Sequence, residues 1–363
     1  MQLMSVALEQ LGWTPFFADA FALRAVAGDV PGRVVLEHNH VFRVMAAGGE
    51  HLAESTGRMK HRAEARHELP AVGDWVVLRP DPAGGRGQIR AVLPRRSVFA
   101  RKAAGRETEQ QVVAANIDTV FVVFGLDMPV NPRSIDRYLV VARHSGTEPV
   151  VVLNKADLVD NVEGAIAEAQ AAAGTAAVLA VSPKTGYGLD ALVRFLAPGR
   201  TATLLGPSGV GKSTIVNHLV GHELLATGEV RDWDARGRHT SVHRQLVVRA
   251  EGGLIIDTPG MRELALWDTD TVADTFGDIA PLAAGCRFRD CRHETEPGCA
   301  VKTAAESGGL DPERLESFRK LQREQETVER LRDERALIDS KRHAKTQNKS
   351  LRALYKNRER SGT

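Results

Sequence analysis

The stretch Gly206-Pro207-Ser208-Gly209-Val210-Gly211-Lys212-Ser213-Thr214 decides how this chain is read. It follows the β-prone run Thr201–Leu205 and precedes residues 215–219, which suit an amphipathic helix. A strand, a glycine-rich loop and a helix in that order are what a Walker A motif requires. Glycines let the backbone approach phosphate oxygens with no Cβ in the way, and N–H groups at the helix start then point inward. Gly206, Ser208, Gly209, Val210, Gly211 and Thr214 are the expected phosphate contacts. Lys212 would pair with the β- and γ-phosphates, and the Ser213 hydroxyl would ligate Mg2+. The bland alternative is a turn that happens to end in Lys-Ser. It does not account for a complete GxxxxGKS in this context.

Downstream, residues 254–256 form an apolar run that ends in Asp257-Thr258-Pro259-Gly260. Asp257 at a strand end would hold Mg2+ through water, and the Gly260 N–H would sense the γ-phosphate. The polar segment 237–243 lies where a first switch loop must fall, so Thr240 or Ser241 could complete the Mg2+ shell. Met261 follows Gly260, and a hydrophobic residue there cannot orient a water nucleophile. His239 is the candidate for that task, because a neutral imidazole accepts a hydrogen bond from water. The alternative is that His239 is simply a polar loop residue.

Upstream, residues 105–280 as a whole alternate between β and α. Residues 119–124 and 149–153 are near-continuous apolar runs, as buried parallel strands require. Residues 177–181 read as a third strand, and residues 135–143 and 162–173 as helices. Directly after the second strand stands Asn154-Lys155-Ala156-Asp157. A carboxylate at Asp157 can accept hydrogen bonds from guanine N1–H and the 2-amino group, a pair that adenine lacks. Asn154 would fix the loop and reach the base edge, and the Lys155 stem would cover the purine face. Ser182-Pro183-Lys184 follow the third strand and suit a second guanine loop. Pro183 has no backbone N–H, so a contact to the guanine carbonyl would come from the Lys184 N–H. These guanine motifs precede the phosphate loop, the reverse of the usual GTPase order. A parallel sheet tolerates such a circular permutation if the old termini were adjacent.

The first hundred residues differ in pattern. After a short helical opening, alternating runs at 33–36, 41–45, 74–78 and 88–93 are broken by glycine and proline. Five strands in about 70 residues suit an OB-like barrel, a common oligonucleotide-binding fold. Arg58, Lys60, His61, Arg62, Arg66, His67, Arg95, Arg96, Arg101 and Lys102 interrupt it. They make either a phosphate-binding face for RNA or a solvated surface diluted by Glu54, Glu64 and Glu68. At the other end, Cys286, Cys291, His293 and Cys299 give C-x4-C-x-H-x5-C, the four ligands of a closed structural zinc site. All 3 cysteines of the chain lie here. Arg287, Arg289 and Arg292 lie between the ligands, and residues 341–360 form a basic tail, an arrangement that favours RNA. The 363 residues exceed one hydrophobic core, and no apolar run approaches the length that crosses a bilayer. No signal peptide is legible, so a cytoplasmic protein is expected. A net charge of +2 by itself implies little about partners.

The chain thus reads as a multidomain protein. An N-terminal segment with an OB-fold β-barrel (1–104) precedes a circularly permuted α/β P-loop GTPase domain (105–280). A mostly helical zinc-binding domain with a basic tail (281–363) ends it. Barrel, permuted motifs and zinc module together resemble the RsgA (YjeQ) family. The likeness rests on 154–157, 206–214, 239–241 and 257–260, then on 286–293 and Glu296-Pro297-Gly298-Cys299. The resemblance implies a Mg2+-dependent GTPase, here a monomer, that binds the maturing small ribosomal subunit and its rRNA and leaves on hydrolysis. It implies a catalytic role for His239 and a switch read His-Thr-Thr, from which Ser241 departs while keeping a hydroxyl. Two rivals are a P-loop ATPase or kinase, which Asp157 opposes, and an RNA-binding scaffold with little hydrolysis, which intact Lys212, Ser213 and Asp257 oppose.

Overall fold

A computed structural model of the chain describes residues 7–38, 40–63, 66–102, 110–207, 209–221, 244–257, 276–323 and 326. Ser208, His239, Thr240, Ser241 and Gly260, together with the basic tail, lie outside the described residues.

The chain opens with a 3-10 turn, Leu8–Leu11, and helix α1, Pro15–Ala22. Pro15 suits the first helical position because its fixed φ is already helical and its missing N–H would be unpaired there anyway. Phe17 and Trp13 carry this segment onto the barrel, with Trp13 meeting Trp75 at 4.7 Å between ring centroids.

Five strands build the barrel: β1 (Val30–His38), β2 (Val41–Ala46), β3 (Gly49–Ser55), β4 (Trp75–Arg79) and β5 (Gly87–Val92). Their order β1-β2-β3-β5-β4 closes through a further β4–β1 pairing, and β3 and β5 run parallel. Alternation puts Val34, Phe42, Val44, Ala53, Val76, Leu78 and Ile89 inside. Helix α2, Gly57–Arg62, crosses between β3 and β4, and Thr56 Oγ1 caps it by accepting the Met59 N–H at 3.2 Å. The strand β3 is absent from the sequence reading, since Glu50, His51 and Glu54 leave it no apolar run.

Strands β6 (Val98–Lys102) and β7 (Gln110–Ala115) form an antiparallel hairpin whose two arms lie on either side of residue 104. The nucleotide-domain sheet follows, from β8 (Thr119–Gly125), β9 (Glu148–Asn154), β10 (Ala177–Val181), β11 (Thr201–Leu205), β12 (Gln245–Val248) and β13 (Leu254–Asp257). Its order is β10-β9-β8-β11-β13-β12, parallel throughout except for β12. Apolar runs fill β8 and β9 because helices cover both faces. These are α3 (Pro132–His144), α4 (Val162–Ala173), α5 (Leu189–Val193) and α6 (Lys212–Val220). Helix α3 starts earlier than its apolar pattern indicates, because Asn131 accepts the Arg133 N–H at 3.0 Å and Pro132 opens the first turn. One register contact, Leu36 with Gln245, joins β1 to β12, so barrel and nucleotide sheet form a single 11-stranded sheet.

The C-terminal region contributes short helices Ile279–Ala283 and Ala300–Glu306 and a longer helical run at 312–323. Among the described residues, no helix is long and apolar enough to cross a membrane.

Candidate active site and metal centre

The parallel strands β9, β10, β11 and β13 all end at one edge of the sheet, and the site loops hang from those ends. This is where ligands bind in open α/β sheets. Strand β11 runs into the phosphate loop, whose Gly206, Gly209 and Gly211 all have positive φ (139°, 79° and 90°). At Gly206 a Cβ would lie 2.1 Å from the Val123 carbonyl oxygen, and at Gly211 one would lie 2.3 Å from Asn154 Nδ2. Glycine is therefore required at both positions on steric grounds. The Lys212 ammonium folds over the loop and donates to the carbonyls of Gly206 (2.8 Å) and Pro207. Ser213 and Thr214 occupy the first turn of α6, and Val210 is buried beneath the loop.

Strand β13 lies parallel to β11, with Thr203 opposite Ile256 and Thr203 Oγ1 donating to the Ile256 carbonyl at 2.8 Å. Asp257 ends that strand and so stands beside the start of the phosphate loop. The donor set of Ser213 and Asp257, a hydroxyl in the first turn of α6 and a carboxylate at the end of β13, suits a hard divalent cation such as Mg2+.

The guanine motif is tied to the phosphate loop directly. Asn154, 2% exposed, donates from Nδ2 to the Val210 carbonyl at 2.7 Å. Its Oδ1 is buried and has no partner among the described residues, an acceptor consistent with a base edge or loop N–H as partner. Lys155 adopts a left-handed backbone (φ 63°), and its ammonium pairs with Asp127 at 2.6 Å. Asp157 accepts from Ser182 Oγ at 2.7 Å and faces Lys184 Nζ at 3.3 Å. The Ser182 hydrogen bond first, and Lys184 after it, hold the Asp157 carboxyl below its ordinary range. The ionised carboxylate is the form that can accept from a guanine edge. A bridge between Ser182 and Tyr187 closes the loop that carries Pro183 and Lys184.

The four C-terminal ligand candidates converge. Their donor atoms all lie within 4.8 Å of one another. Cys286 Sγ is 3.9 Å from Cys299 Sγ and 3.6 Å from His293 Nδ1, which in turn is 3.4 Å from Cys299 Sγ. Zinc–sulfur bonds of about 2.3 Å in a tetrahedron place sulfurs about 3.8 Å apart, so the cluster fits the ion. The three thiols are free, which leaves them available as ligands. His293 is held at φ 61°, an unusual backbone for a non-glycine residue and one that turns its ring inward. Burial, opposed by Glu296, lowers its pKa and favours the neutral, ligating imidazole. The Glu296 carboxylate accepts the N–H groups of Arg292 (3.0 Å), Glu294 (2.9 Å) and Thr295 (3.1 Å). Those donors, with its own N–H, draw its pKa to about 2 and knit the loop between the ligands. Burial pushes the Cys291 thiol up to about 11. The burial of Cys286 is outweighed by the N–H groups of Val301 and Ala300, which lower its pKa.

Comparison with known proteins places this architecture. The family model described as RsgA GTPase matches residues 92–267. A small ribosomal subunit biogenesis GTPase RsgA from Opitutus terrae is 50% identical over 330 residues, 88% of this chain and 90% of that protein. The chain belongs to the RsgA GTPase family. The RsgA of Xylella fastidiosa strain 9a5c is 45% identical over 87% of this chain and 93% of its own length. The crystal structure of YjeQ from Thermotoga maritima superposes with a TM-score of 0.63 at 29% identity, over 82% of this chain and 98% of that one. YloQ, described as a circularly permuted GTPase, matches in fold with a TM-score of 0.57 at 22% identity, over 84% of this chain and 98% of that one. A model described as ABC transporter also matches, at residues 191–351, a span that includes the phosphate loop.

As an RsgA-family member the chain is a GTP hydrolase, and the fold expected from its sequence is borne out: barrel, permuted P-loop sheet and Cys3His cluster. Sequence reasoning missed one site-related group. Asp127 lies far in sequence from the lysine it pairs with, and no local pattern signals it. Arg95, one of the basic residues that make either an RNA-binding face or a solvated surface, instead forks its guanidinium onto buried Asp74 (2.8 and 2.7 Å) and the His67 and Leu69 carbonyls. Arg58, Lys60 and His61, by contrast, are exposed along α2.

Proposed function

We propose that this chain binds the maturing small ribosomal subunit and hydrolyses GTP there, late in assembly. The observation that carries the nucleotide half is the Asn154–Val210 hydrogen bond, which unites guanine and phosphate loops across the permuted chain order. The ribosomal half rests on relatives named small ribosomal subunit biogenesis GTPases, which the chain spans almost from end to end.

In this reading Asp157, Asn154 and the Lys155 stem hold the guanine, with Ser182, Pro183 and Lys184 closing the second side. The N–H groups of Gly206, Ser208, Gly209, Val210, Gly211 and Thr214 cradle the phosphates. Lys212 exchanges the Gly206 and Pro207 carbonyls for phosphate oxygens. Ser213 and Asp257, with Thr240 or Ser241, hold Mg2+, which neutralises charge developing on the phosphates when bound. Gly260 senses the γ-phosphate and His239 orients water. The cluster of Cys286, Cys291, His293 and Cys299 takes one structural zinc ion, with no ligand position left open. Exposed Arg58, Lys60 and His61 suit rRNA, as does the basic knuckle. The units 1–104, 105–280 and 281–363 act together in a cytoplasmic monomer.

The test is GTP turnover by the purified protein alone, with small subunits and with large subunits. Stimulation by small subunits only is expected. Turnover indifferent to both would remove the ribosomal half and leave the nucleotide site standing.

A further inference from the structure

Between the nucleotide loops and the cysteine cluster lies a group of charges that neither site uses. Arg314, in the helical run 312–323, is the centre. Its side chain is 14% exposed and forks onto Asp278, with Nε at 2.6 Å and Nη2 at 2.8 Å. Nη1 reaches Asp136 of α3 at 2.9 Å. Asp136 is 2% exposed, and Ser317 also donates to it. Arg133 in the first turn of α3 adds a surface pair with Glu316 at 2.8 Å.

Three aromatic contacts extend the group to the cluster. The guanidinium sits over Phe276 at 4.8 Å, Phe276 meets Phe318 edge-on at 5.4 Å, and Phe318 lies 6.0 Å from the ring of His293. On the other side, α3 is capped by Asn131, and the loop just before it holds Asp127, the partner of Lys155 in the guanine motif. Arg314, Phe276 and Phe318 therefore form a line from His293 to α3, whose preceding loop contacts Lys155. A buried carboxylate such as Asp136 tolerates only a compensated position, so α3 cannot move against the knuckle without opening the fork.

We propose that Arg314 couples the Cys3His cluster to the nucleotide site, so that nucleotide occupancy alters how tightly the metal is held. By reciprocity the metal then alters nucleotide affinity by the same factor. The coupling rests on the zinc and GTP readings above. Contiguity alone does not establish it, so the test is a linkage measurement.

The full-length, zinc-loaded protein is exposed to a chromophoric chelator with Mg2+, with and without saturating GDP, and equilibrium zinc affinity is read. The two wild-type affinities should differ by about fivefold or more, the lower end of ordinary coupling. In Arg314→Met the ratio should collapse towards one, although zinc still binds at one per chain. Arg314→Lys keeps the charge but loses the fork, and should retain part of the ratio. Asp278→Asn removes a half-exposed arm, and provides the same readout if Arg314→Met does not fold. A wild-type ratio of one, or an undiminished ratio in the variants, overturns the coupling alone. A wild type that binds no zinc overturns the cluster reading and the coupling with it.

Discussion

Two arginines hold the nucleotide domain to its neighbours, and they do so by opposite means. Arg33, 1% exposed, donates only to neutral carbonyls: Leu11 of the N-terminal segment, Gly73 at 3.2 Å in the barrel, and Asn116 at 2.9 Å ahead of β8. Burial pulls its pKa down to about 10, and the carboxylates of Asp118 and Asp74 compensate only in part. Arg314 also suffers from burial, but its hydrogen bonds to Asp278 and the charges of Asp136 and Asp278 raise its pKa above the ordinary value. Carbonyl dipoles fix geometry without cancelling charge. A carboxylate fork with one exposed arm can be exchanged for water. The first junction is a rivet, the second a clasp.

Four experiments can break or sharpen that contrast. Arg33→Ala should have the largest effect, about 3–5 kcal/mol, because the buried Leu11 and Asn116 carbonyls lose this donor, the Gly73 carbonyl is left with Asn116 Nδ2 alone, and a cavity opens. Chemical denaturation measures it, and a loss under about 1 kcal/mol would mean the carbonyls were not holding the junction. Arg314→Met should cost about 2 kcal/mol at neutral pH by leaving Asp136 ionised and unpaired. Its sign with pH is fixed. Burial already raises the Asp136 pKa above 3.8 in the folded state, and loss of the cation raises it further. The variant's deficit should therefore shrink as pH falls through that raised value, since a protonated carboxyl needs no cation. A pH-independent deficit would contradict the clasp. Asp278→Asn should cost about 0.5–1 kcal/mol, because water can replace its exposed arm. A loss equal to that of Arg314→Met would make the clasp a second rivet. The smallest effect is chemical. After chelation, iodoacetamide at mildly alkaline pH should label Cys286 before Cys291, whose thiol sits at about 11. Mass spectrometry of partly labelled protein reads the order, and its reversal would show that the knuckle reorganises without metal.

Much of the fold was legible because local physics dictates it. The strand Thr201–Leu205, the helix Val162–Ala173 and the strand Ala177–Val181 fall where their apolar patterns place them. The glycines at 206 and 211 are legible for a steric reason that the structure makes explicit. What the pattern hid is what depends on distant partners. The β6–β7 hairpin has charged and amide residues at its far end, so neither arm looks like a core strand. Arg33 opens a run of valines on β1 and reads as an outward-facing strand residue, yet it is wholly buried. The pairing of Asp127 with Lys155 and the fork of Arg314 bring together residues far apart in sequence, which no periodicity can encode. For the nucleotide site, composition set the chemistry of each loop, and only the strand order revealed that Asn154 grips Val210.

The seam between the two sheets has a mechanical consequence. Gln245 is paired with Asp257 on one side and with Leu36 on the other. Strand twist is cumulative across a continuous sheet, roughly 20–25° per neighbour. The tilt of the barrel, and with it the direction in which Arg58 and Lys60 point, is thereby geared to the strand that ends in Asp257. A rocking of that strand by a few degrees would be amplified along the barrel's radius, as a rudder stock turns its blade.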